Sequence, residues 1–104
     1  MQIDLKNDGI DKLYVKAYGR MDLDNAVEYG TLIKDTIEDS EEKISDLTLD
    51  FAEITFISSF GLKVILELYK LMQSEQGSMK LVNVSDSILG SFKIVGFDKF
   101  LVIE

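Results

Sequence analysis

Leu13, Val15 and Ala17 alternate with Lys12, Tyr14 and Lys16, the period of two expected of a strand with one buried face. Residues 2–6 alternate in the same way, and Asn7-Asp8-Gly9 between the two segments is a turn signal. Strands over 2–6 and 12–18 are therefore predicted to pair as an antiparallel hairpin. Beyond Gly19 the period changes. Leu23, Ala26, Val27, Gly30, Ile33 and Ile37 recur at spacings of three and four, which predicts a helix. Asp22 or Asp24 can cap its start, and the acidic run Glu38 to Glu42 sets its end near Asp39, because carboxylates disfavour a helix C-terminus. That acidic run reads as a solvated loop.

Residues 47–51 read as a third strand, and a long helix follows over 59–73. Its polar positions, Lys63, Glu67, Lys70 and Ser74, form a narrow stripe, and its apolar arc covers more than half the circumference. A helix so apolar is expected between a sheet and neighbouring helices, unless part of the arc is left for a partner. Residues 79–84 form a fourth strand. Ser85-Asp86 caps a short helix carrying Ile88, Leu89, Phe92 and Val95, Gly96 fits the position just past its end, and residues 100–103 close the chain as a strand. Strands alternating with helices require crossover connections. The expected fold is α/β: one domain over 1–104, with a mixed, mostly parallel sheet, an antiparallel N-terminal hairpin and about three helices.

Composition narrows the chemistry. The chain has no cysteine and no histidine, which excludes thiol catalysis, disulfides and the commonest general base. A net charge of −8 from 19 acidic and 11 basic residues repels phosphate backbones and anionic lipid, so neither nucleic acid nor a membrane is an expected partner. The first residues alternate polar and apolar with no basic-then-apolar run, and a cytoplasmic location is the expectation. The acidic pairs Asp22/Asp24 and Asp50/Glu53 are read as a cap and a solvated loop; an enzyme would need Asp22 and Asp50 to converge in a closed pocket. No glycine-rich phosphate loop is present. The chain is not expected to be an enzyme or to hold a metal.

The informative stretch runs from Asp50 through Phe56-Ile57-Ser58-Ser59-Phe60-Gly61-Leu62, out of a strand and into the start of the long helix. Serine is a preferred N-cap, so capping alone accounts for a serine there. A phosphate at that place would also face free amides and the positive end of the helix dipole, while presenting a new dianion to any docked protein. Such a position suits a switch.

Phe56-Ile57-Ser58-Ser59-Phe60-Gly61-Leu62 resembles the phosphorylation-site segment of STAS domains in the anti-sigma factor antagonist (anti-anti-sigma factor) family, typically Phe-Ile/Met-Asp-Ser-Ser/Thr-Gly-Leu. Gly19-Arg20-Met21-Asp22 looks like that family's Gly-x-Leu-Asp turn, and residues 80–85 and 95–100 look like its closing strand, helix and strand. The resemblance covers about Leu13 to Ile103. It implies phosphorylation at Ser59, with Ser58 as the alternative, and a partner surface including Asp22, Ser58, Ser59, Phe60 and Gly61 beside the faces of the long and last helices. It further implies an anti-sigma factor that is also a serine protein kinase as partner and a serine phosphatase that resets the switch. The nucleotide belongs to the kinase, so no cofactor is expected in this chain. Two departures stand out: Ser58 replaces the usual aspartate, and Phe60 a small residue. Phe60 fits a core anchor, a docking residue or an obstruction, with inward packing the simplest. The alternative function on the same fold is a protein-interaction or small-ligand-sensing module that is never phosphorylated.

Overall fold

A computed structural model describes all 104 residues. The elements in order are β1 Gln2–Asn7, β2 Lys12–Met21, α1 Leu23–Asp39, β3 Asp46–Ile57, α2 Ser59–Ser74, β4 Ser78–Val82, α3 Asp86–Ile94, a 3-10 turn Phe97–Lys99 and β5 Val102–Ile103. The strands lie in sequence order in one sheet. β1 pairs antiparallel with β2, and every other pairing is parallel. The expected mixed sheet with an antiparallel N-terminal hairpin and three helices is what the chain forms.

The period of two decides which face is buried. Leu13, Val15 and Ala17 of β2, Leu47, Leu49 and Phe51 of β3, and Met79 and Leu81 of β4 all point to one side. Ala26, Tyr29, Ile33 and Ile37 of α1, Ile65, Leu68 and Met72 of α2, and Ile88 and Phe92 of α3 join them in one buried cluster. Each large aliphatic side chain so buried contributes about 1.5–3 kcal/mol. The apolar arc of α2 is divided among neighbours. Ile65, Leu68 and Met72 are buried, Val64 meets α1, and Tyr69 packs on Phe100 with ring centroids 4.9 Å apart.

Several boundaries differ from expectation. β3 continues to Ile57 where a loop was expected after Phe51. Its alternation fails there because the pairing with β2 slips between Lys16 and Tyr18 and again between Gly19 and Arg20. Such irregularities re-aim side chains and hide the period. β4 stops at Val82, not residue 84, because Asn83 adopts φ +58°. The closing strand shrinks to Val102–Ile103, since Phe97–Lys99 winds into a turn after left-handed Gly96.

Candidate functional site

β2 and β3 are parallel neighbours, with Met21 opposite Ile57 on the last rung. Helices α1 and α2 therefore start side by side at the carboxyl edge of the sheet, and both return along it in the same direction. Asp22 is the N-cap of α1, its Oδ1 accepting from the Asn25 amide at 3.1 Å. Ser58 is the N-cap of α2, its Oγ accepting from the Gly61 amide at 3.2 Å. The same hydroxyl donates to the Met21 carbonyl at 2.9 Å, and the Ser58 amide donates to that carbonyl at 3.0 Å. Ser58 is thus a tie between the two helix starts.

Ser59, the next residue, is exposed, and its hydroxyl makes no hydrogen bond within the chain. It sits in the first turn of α2, where backbone amides have no intrahelical acceptor. Ser58 satisfies Gly61, leaving the amides of Ser59 and Phe60 outside the helix ladder. Lys63 lies one turn further along the same face, at the i+4 spacing where side chains meet. Two helix N-termini next to each other put partial positive charge at this edge.

The other expected residues separate. Phe60 does not pack inward; it is 50% exposed and lines a groove between α1 and α2. Gly61 is buried: a Cβ there would lie 2.6 Å from Ile57 Cγ1 and 2.7 Å from Met21 Cγ. Its role is to let α2 close on the strand ends. The helix lying alongside α2 is α1, not the last helix, which packs beside Phe51 with Phe92 at a centroid distance of 6.1 Å. Asp22 and Asp50 do not converge, because Asp50 pairs with Lys16, well down the strand from the Met21–Ile57 rung.

Asp50, expected with Glu53 in a solvated loop, is 5% exposed, on the sheet face opposite the helices. Tyr14 donates to it at 2.5 Å, the Ala52 amide at 2.9 Å and Asn83 Nδ2 at 3.1 Å. Burial pushes its carboxyl up, but these donors and Lys16 outweigh that and hold it below the ordinary carboxylate range. The hydrogen bond to Asp50 pushes the Tyr14 hydroxyl up to about 12. All three donors are used by the fold, so the arrangement is a structural knot rather than a reaction centre. Sequence reasoning also missed Arg20, whose guanidinium lies 4.2 Å from the centroid of the half-exposed Phe56 ring. The two are opposite each other only because of the slipped register.

Residues 5–104 match the STAS domain family. The anti-sigma-B factor antagonist of Bacillus subtilis (strain 168) is 24% identical over 104 residues, spanning 100% of this chain and 91% of that protein. The anti-sigma factor antagonist SpoIIAA in its unphosphorylated form shares the fold with a TM-score of 0.78 at 14% identity, over 99% of this chain and 87% of that one. The Bacillus cell fate determinant SpoIIAA in its phosphorylated form does so with a TM-score of 0.77 at 16% identity, over 99% and 91%. With the family match running from the first hairpin to the last residue, the chain belongs to the STAS domain family.

Proposed function

We propose that this STAS domain is an anti-sigma factor antagonist, a regulatory protein of the cytoplasm rather than an enzyme. Unmodified, it docks an anti-sigma factor that is also an ATP-dependent serine kinase. Phosphorylation of Ser59 by that kinase breaks the complex, and a serine phosphatase restores it. The observation that carries this reading is the division of labour between adjacent serines. Ser58 is held by Met21 and Gly61, whereas Ser59 is exposed with a free hydroxyl at the head of α2. A phosphate on Ser59 would be accommodated by the helix N-terminus and Lys63, so the fold would survive while the docking surface gained a dianion. The names of the relatives support the antagonist role, and SpoIIAA exists in both phosphorylation states.

The test is phosphosite mapping after incubation with ATP and each serine kinase of the same cell, with Ser59→Ala in parallel. One phosphate on Ser59, absent from the variant, is the expected result. Phosphate on Ser58 would overturn the assignment of the site, and no phosphate from kinases active on a control substrate would overturn the switch.

A further inference from the structure

The groove between α1 and α2 has a volume of about 800 Å³ and is partly open to the surface. Its lining is mixed. Beside Ser59 it is apolar, with Leu23, Val27 and Phe60 46%, 56% and 50% exposed over a floor that includes Val64. Along its rims it is basic. Lys34, Lys63 and Lys70 line it against one acid, Glu67, in a chain where acids outnumber bases 19 to 11. The floor is closed where Gly30 lets α1 sink onto Val64: a Cβ there would stand 2.8 Å from Val64 Cγ1.

Length and shape select the occupant. The α2 residues of the groove run from Phe60 to Ser74, about 20 Å at 1.5 Å per residue, which matches a helix of three to four turns. Sites for small ligands instead enclose most of the ligand. An apolar strip with basic rims is complementary to an amphipathic helix whose apolar stripe is flanked by acids.

We propose that this groove receives an acidic amphipathic helix of the protein partner, its apolar stripe on Leu23, Val27, Phe60 and Val64 and its acids against Lys34, Lys63 and Lys70. The identity of that partner as the anti-sigma factor rests on the function proposed above; the chemistry of the groove does not. The end of the groove adjoins Ser59, so a phosphate there would both repel an acidic helix and attract Lys63 away from it.

The experiment measures binding of the anti-sigma factor kinases of the same cell to five proteins: the wild type, Val27→Glu, the triple variant Lys34→Glu/Lys63→Glu/Lys70→Glu, a charge-matched control, Lys6→Glu/Lys12→Glu/Lys99→Glu, and Ser59→Asp. All the changed residues are exposed, and circular dichroism confirms folding. In parallel, amide chemical shifts are followed on adding a synthetic 14-residue helix with a leucine stripe flanked by glutamates (about four turns), and on adding dodecyl phosphate. About tenfold or greater loss is expected for both groove variants, with little change for the control and peptide-induced shifts confined to α1 and α2. Wild-type binding that the groove variants retain but Ser59→Asp loses would overturn the groove while leaving the function standing. Peptide shifts in the groove with no kinase bound would overturn the function while leaving the groove. Saturable occupation by dodecyl phosphate, with neither peptide nor kinase binding, would overturn the helix in favour of a small amphiphile.

Discussion

Ser58 Oγ donates to the carbonyl of Met21 at 2.9 Å while accepting from the amide of Gly61 at 3.2 Å, so one hydroxyl joins the end of β2 to the start of α2. The family's usual aspartate could cap the same amide, but a carboxylate has no proton to donate to a carbonyl. The departure at Ser58 therefore has a structural explanation in this chain, and it leaves Ser59 as the unengaged serine.

Ser58→Ala should lower stability by about 0.5–2 kcal/mol, the cost of an N-cap. Ser59→Ala, at an exposed position with no internal bond, should stay within about 0.5 kcal/mol of wild type. Urea unfolding of the two variants side by side checks the contrast, and equal losses would contradict the division of labour between them.

Ser59→Asp places a carboxylate in the first turn of α2 and should raise stability by about 0.3–1 kcal/mol at low salt, fading as salt is added. On the proposed function, the same variant should fail to bind the anti-sigma factor. Calorimetry of unfolding and of binding on one preparation separates a lost interface from a lost fold.

Gly61→Ala should destabilise despite alanine's advantage of about 1 kcal/mol inside a helix. Its Cβ would meet Ile57 and Met21 side-chain atoms at 2.6 and 2.7 Å and the Met21 carbonyl at 3.1 Å, and such overpacking costs about 1–3 kcal/mol. The expected net effect is a loss, read from the urea midpoint, and a gain would show that α2 can slide.

Asp50 and Tyr14 set the limits of pH stability. The Asp50 carboxyl sits below its unfolded value, so its contribution is present above the ordinary carboxylate range and is lost as pH falls through the lowered folded value. Tyr14 is raised to about 12, so its contribution is complete below 10, its ordinary value, and is lost as pH rises toward 12. Tyr14→Phe should remove the Tyr14 share of the alkaline decline and weaken stability at pH 7, in unfolding curves taken from pH 3 to 11. An alkaline limb identical to wild type would contradict the assignment.

Tyr29 is fully buried, and its hydroxyl has no hydrogen-bond partner in the protein. Tyr29→Phe keeps the ring and removes a donor that folding strips of water, so stability should hold or rise by up to about 1 kcal/mol. A drop in thermal midpoint would show that the hydroxyl is bonded in solution.

The sequence by itself determined what depends on neighbours along the chain. Period two placed β1 and β2, spacings of three and four placed α1 and α2, and Asp22 or Asp24, the Ser58-Ser59 pair and Ser85-Asp86 marked helix starts, where Asp22, Ser58 and Ser85 prove to be the caps. The run around Ser59 already pointed to the head of α2. What depends on register and packing was not legible there. Two slips against β2 carried β3 on to Ile57, left-handed Asn83 brought an amide to Asp50, and the packing of α1 against α2 left Phe60 half-exposed in the groove between them. A residue's polarity shows whether it prefers water, but which of two serines caps and which stays free is fixed by a carbonyl 37 residues away. That partner is chosen only when β2 and β3 pair.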